Sequence, residues 1–118
     1  MDLNQSREPL VVTDSELNGS SFSGVAMADA RFEDTRLKAA RFDHADMENA
    51  VFSRTKLKSA RFGNVDLSLA HVENTTLAGA TIQDADLTGV SISDCDLTNM
   101  RINGYLVSDL IATYRKYV

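Results

Sequence analysis

The sequence predicts a solenoid, a chain that turns one corner every five residues and lays coil upon coil. Three observations predict it. From residue 15 to 104 the centre of every five is large and apolar: Leu17, Phe22, Met27, Phe32, Leu37, Phe42, Met47, Phe52, Leu57, Phe62, Leu67, Val72, Leu77, Ile82, Leu87, Ile92, Leu97 and Ile102. Two residues before each centre stands a small or modest side chain, Ala30, Ala40, Ala50, Ala60, Ala70 and Ala80 among them. Residues twenty apart are alike. Leu fills 17, 37, 57, 77 and 97, and the residues two earlier are Ser15, Thr35, Thr55, Thr75 and Cys95. Neither the helical period of 3.6 nor the strand period of 2 sustains such a pattern, so each five must contain a corner.

Along the chain, residues 1–14 read as an N-terminal cap with Pro9, ending in a degenerate leading repeat, "LVVTD" at 10–14. Residues 15–104 are the repeat body. Agreement at a spacing of twenty makes four repeats one coil and divides the body into four sides. One side carries the Leu and hydroxyl column, and the side two along carries Met27, Met47, Leu67 and Leu87. The other two carry Phe22, Phe42, Phe62, Ile82, Ile102 and Phe32, Phe52, Val72, Ile92. Opposite sides thus share a side-chain shape, which a core of fixed width and near-crystalline density favours. The reading predicts a core filled layer by layer, without a pocket. Residues 105–118 place Leu106, Val107, Leu110, Ile111 and Tyr114 at helical spacing, with Arg115 and Lys116 near the end, where they suit the helix dipole. They form a C-terminal amphipathic helix that caps the last coil or joins two chains.

Quintets such as "ADLTG" at 85–89 and "ADMEN" at 45–49 resemble the pentapeptide repeat family, whose pattern is Ala, then Asp or Asn, then Leu, then two variable residues. The resemblance spans the repeat body. It implies an all-β solenoid, a right-handed quadrilateral parallel β-helix of about 4.5 coils of four pentapeptides. It also implies a C-terminal tail that caps the rod and often makes a twofold dimer. Leu106, Val107, Leu110, Ile111 and Tyr114 are then the candidate dimer interface.

The 118 residues fit one domain, and 43% hydrophobic with 25% charged residues is the composition of a folded chain. No apolar run is long enough for a membrane span, and "MDLNQSREPL" lacks the segments of a signal peptide, so the expectation is a cytoplasmic protein off the membrane. Cys95 has no second cysteine to pair with, and it shares the chain with two histidines, so no zinc set is spaced for binding. A net charge of −5 argues against general nucleic-acid binding. No Ser, His and Asp are arranged for catalysis. The expectation is no enzyme, no cofactor and no metal.

Charge falls unevenly on the sides. A candidate acidic face gathers Asp29, Asp46, Glu48, Asp66 and Asp86, and a candidate basic edge gathers Arg36, Lys38, Arg41, Lys56, Lys58 and Arg61. The function expected is a non-enzymatic scaffold or protein-interaction module presenting flat faces to an unidentified protein partner. An acidic rod in this family implies an alternative, a DNA mimic that regulates or protects DNA gyrase or topoisomerase IV.

Overall fold

The computed structural model describes residues 9–117, with Tyr117 by its backbone alone, so residues 1–8 of the expected cap and Val118 lie outside the described residues. The body is a β-solenoid of about five turns. Short strands recur every ten residues: β1 (Val11–Thr13), β2 (Ser21–Ser23), β3 (Arg31–Glu33), β4 (Arg41–Asp43), β5 (Val51–Ser53), β6 (Arg61–Gly63), β7 (His71–Glu73), β8 (Thr81–Gln83), β9 (Ser91–Ser93) and β10 (Arg101–Ile102). Odd strands β1, β3, β5, β7 and β9 form one parallel sheet, and even strands β2 to β10 another. Phe22 pairs with Phe42 and Phe42 with Phe62, so a coil is twenty residues. Arg41 stacks on Arg61, while Arg31 lies in the other sheet between Val11 and Val51. The leading repeat forms a full rung, with Val12 paired to Phe32.

The alternation of ten residues is a property of the backbone as well as the core. The Phe sides run as three-residue strands, whereas the Leu and Met sides touch the next coil through isolated bridges such as Arg36 to Lys56 and Asp46 to Asp66. On every Leu or Met side a turn closes from the centre to the residue three on, as in Ala40 N to Leu37 O at 3.0 Å and Ala50 N to Met47 O at 3.0 Å. The third residue of each such turn has positive φ, the mark of a type II turn. Corners after the strands lack that hydrogen bond but are also left-handed. Every fifth residue from Asp14 to Gly104 has positive φ. Gly, Asn and Asp dominate these positions because they tolerate that region, leaving Ala39, His44, Arg54, Ser59 and Leu69 as the exceptions.

Two phenylalanine columns fill the first half of the core. Phe22, Phe42 and Phe62 stack at 4.9 and 4.7 Å, and Phe32 stacks on Phe52 at 5.0 Å. The columns meet edge to face across the interior, with Phe42 6.3 Å from Phe32 and 6.1 Å from Phe52. Both geometries suit the ring quadrupole. The hydroxyl column is internal too. Thr55 donates through Oγ1 to the carbonyls of Ser53 at 3.0 Å and Phe32 at 3.1 Å, and Thr35 and Thr75 repeat the pattern. Thus the buried hydroxyls tie each corner to the coil before it.

The expectation of a filled core fails beyond Phe62. Val72, Ile82, Ile92 and Ile102 do not reach across as a ring does, and an apolar cavity of about 230 Å³ remains between them. At the C-terminal end the element bounds also differ from the expected helix over 105–118. Tyr105–Leu106 forms β11, antiparallel to β10, and the helix α1 runs Val107–Tyr117. Strand β11 ends the even sheet by covering its last edge. Helix α1 is tied on through the Val107 N–H, which donates to Met100 O at 3.0 Å, but from Ser108 to Lys116 every residue is exposed.

Candidate interaction faces

The basic edge is built on two adjoining sides. Arg36 and Lys56 bridge one coil apart on the Leu side, and Lys38 and Lys58 follow two residues along the same rungs. Together with Asn18 and Thr76 they line one shallow trough. Arg41 and Arg61 stand round the corner in β4 and β6 and line a second, with Asp43 and Gln83. Arg36 approaches Glu16 only at 3.9 Å, and among the described residues Lys38, Lys56, Lys58, Arg41 and Arg61 have no ion pair. Two other pairs, Arg31 with Glu33 and Arg54 with Asp34, lie outside these troughs, whereas Asp43, 3.7 Å from His44, shares the second trough with Arg41 and Arg61. Lys38, Lys56 and Lys58 are therefore the cations best placed to meet an external anion.

The acidic residues have a local duty that the sequence reading missed. In a type II turn the N–H after the centre points outward without a partner in the next coil. Asp66 Oδ1 accepts that N–H from Ser68 at 2.9 Å together with the Ser68 hydroxyl at 2.6 Å. Asp86 does the same for Thr88 and Asp96 for Thr98, and Asp46 accepts the Glu48 N–H at 3.2 Å. Hydrogen bonds to the Thr88 hydroxyl and N–H hold the Asp86 carboxyl below its usual range, and Thr98 acts likewise on Asp96. The signal was present in the sequence as Asp just before a Leu or Met centre, followed two residues later by Ser or Thr. Carboxylate oxygens of Asp46, Glu48 and Asp66 lie within 4.8 Å of one another, but the Asp46 and Asp66 contacts already serve the backbone. Asp29 stands apart from this column. It occupies a left-handed corner with φ 64°, where its N–H donates to Glu48 O.

The other singled-out residues are placed as follows. Leu106 and Val107 are half-buried against the last coil, whereas Leu110, Ile111 and Tyr114 are 47%, 39% and 67% exposed on α1. Cys95 is half-buried at the end of the hydroxyl column, its Sγ 3.1 Å from Ser93 O. Burial pushes its thiol pKa up, the opposite of an activated nucleophile. Among the described residues no helix is long and apolar enough to cross a membrane.

The sequence profile described as Pentapeptide repeats matches residues 15–54, 35–74 and 60–99. No curated protein gives a significant match. Among solved structures, the pentapeptide repeat protein Rfr23 from the cyanobacterium Cyanothece 51142 superposes with a TM-score of 0.73 at 22% identity, covering 81% of this chain and 66% of that one. HetL from Nostoc sp. strain PCC 7120, a pentapeptide repeat protein involved in heterocyst differentiation regulation, matches at 25% identity and TM-score 0.42, over 81% of this chain and 48% of its own. QnrB1, a plasmid-mediated fluoroquinolone resistance protein, matches at 13% identity and TM-score 0.37, over 91% of this chain and 96% of its own. The chain thus spans about two thirds of the length of Rfr23 and about half that of HetL. Between them the matched segments cover most of the solenoid, and the chain belongs to the pentapeptide repeat family.

Proposed function

We propose that the protein is a non-enzymatic interaction module whose basic face, centred on Arg36, Lys38, Lys56 and Lys58, docks an acidic surface of a protein partner. One observation carries this reading. The residue before a Leu or Met centre is where Asp46, Asp66, Asp86 and Asp96 cap their own turns, and at that place Arg36 and Lys56 stand instead. Lysine has no acceptor, so Lys56 gives up a local hydrogen bond and stands beside Arg36, a like charge one coil away. Local stability is surrendered there for a cluster of cations, as at functional surfaces. Flat faces without stacking aromatics favour a protein over single-stranded nucleic acid, and complementary charge sets the orientation of docking.

The test is a double variant, Arg36→Asp with Lys56→Asp, compared with wild type in affinity capture from the native cell extract. At 56 the new carboxylate can cap the Lys58 N–H, and at 36 the Lys38 N–H keeps its acceptor, Asn18 Oδ1 at 2.9 Å, so the variant should fold, with thermal unfolding as the check. A protein retained by wild type and lost by the variant is the expected outcome. Equal recovery from both would sink the basic-face reading, and a salt-dependent shift of nucleic acid on a gel, lost in the variant, would move the partner to nucleic acid.

We further propose that the protein dimerises through its C-terminal end. The exposed Leu110, Ile111 and Tyr114 on one short helix support this. Sedimentation at micromolar concentration should show a dimer that the Leu110→Glu, Tyr114→Glu variant converts to monomer; a monomeric wild type contradicts it. The second reading, a DNA-mimic regulator or protector of DNA gyrase or topoisomerase IV, rests on Asp46, Asp66 and Asp86 standing in register along one face. A supercoiling assay decides it. Neither inhibition nor drug protection at tens of micromolar protein would remove that reading.

A further inference from the structure

The aromatic columns end at Phe52 and Phe62, and the rungs above them carry Val72, Ile82, Ile92 and Ile102 in the same inward positions. Leu67 and Leu87 replace the longer Met27 and Met47 on the third side at the same time. Exchange of Met for Leu conserves volume, so the interior loses volume on the two ring-bearing sides while its width stays fixed by the β-ladder. What remains is a cavity of about 230 Å³ lined almost wholly by apolar side chains, with Phe52, Leu57 and Phe62 buried around it. Towards the C-terminal end its wall is half-open. Leu87, Val90 and Ile102 are only half-buried and Ile92 is 36% exposed. Helix α1 leaves that end accessible, since its residues beyond Val107 are exposed.

The size selects the occupant. One turn of helix, about 5.4 Å long and 10 Å across, fills about 420 Å³, so neither a helix of a second copy nor a partner's helix fits inside. A dry apolar cavity of about 150 Å³ already holds a benzene molecule. The lining residues are all apolar and include no member of the Thr and Cys column, so a charged or strongly polar molecule would find almost nothing there to pair with.

We infer that the C-terminal half of the solenoid core is a binding site for a small uncharged apolar molecule, one aromatic ring or a short alkyl chain, entering between Leu87, Ile92 and Ile102. The site is distinct from the basic face, which lies outside the ladder on other residues.

Benzene is the probe, with binding read on the intact protein by saturation-transfer NMR and by thermal unfolding. At about ten times its Kd it should raise Tm by roughly 5 °C. Ile82→Phe continues the Phe22, Phe42, Phe62 stack into the void and should abolish both signals; Val72→Phe, extending the other column, serves if the first variant folds poorly. The Leu110→Glu, Tyr114→Glu variant is measured in parallel. Saturable binding to wild type that a filling variant removes supports the site. No saturable response from wild type overturns it, as does a response that both filling variants retain. A response confined to the Leu110→Glu, Tyr114→Glu variant also overturns it, because the mouth is then closed by a second copy in the intact protein.

Discussion

At the scale of single residues, the fold rests on a left-handed residue at every fifth place, and the side chains there differ in how well they suit it. Leu69, with φ 62° and half its surface exposed, loses little packing if shortened. Leu69→Gly should stabilise the protein by about 1 kcal/mol, the left-handed strain exceeding the backbone entropy that glycine adds. Urea unfolding measures it, and a loss of stability would mean that Leu69 covers the corner more than it strains it. Asp86 supplies the second test. Its carboxyl pKa is depressed by Thr88, so its contribution to stability is present above the ordinary carboxylate pKa and is lost as pH falls through the depressed value. Thr88→Ala should move the Asp86 titration upwards in an NMR pH series. These roles were half legible. Gly, Asn and Asp at every fifth residue were in plain view, but without backbone angles an outward Asp reads as a solvated charge.

At the scale of elements, the two kinds of side divide the work. Three-residue strands carry the rings, and tight turns carry the Leu and Met centres with their outward charges. Phe42 is the most engaged ring, stacked on Phe22 and Phe62 and met at its edges by Phe32 and Phe52. Phe42→Ala should cost about 4 kcal/mol and Phe22→Ala, half-buried in an early coil, clearly less. Equal losses in chemical denaturation would show that the stack adds nothing beyond burial. The spacing of twenty made the columns, the register of Arg41 on Arg61 and the inward hydroxyls readable from sequence. It did not reveal the cavity, because periodicity reports which way a side chain points and says nothing of whether Val72 and Ile82 span the space that Phe52 and Phe62 fill. The C-terminal helix was legible, but its start was not, for a similar reason. An apolar stripe over Leu106, Val107, Leu110, Ile111 and Tyr114 marks a helix face, but Tyr105 and Leu106 pair with β10 and only Val107 of α1 packs on the core.

At the scale of the whole molecule, the rod carries charge of opposite sign on opposite faces. Cations stand on the Leu side, and Asp46, Asp66 and Asp86 stand two sides further round. Each coil touches only its neighbours, so stability grows coil by coil. The left-handed corners turn this into a rule about length. Removing residues 55–74 joins Arg54 to Thr75 and leaves every column in phase, with Phe42 meeting Ile82 and Thr35 meeting Thr75. That shortened chain should unfold cooperatively by circular dichroism at a lower Tm. Removing 55–64 keeps strand on strand but puts Val65 beneath the hydroxyl column, and removing 55–59 sets strands on turns. Cooperativity should weaken in the first and vanish in the second; equal behaviour of all three would mean that the corners are interchangeable. The molecule is thus quantised in length. Insertions and deletions within the solenoid are silent only as whole coils, so variants of this protein that keep its faces should differ in size by steps of one full circuit and never by a single repeat.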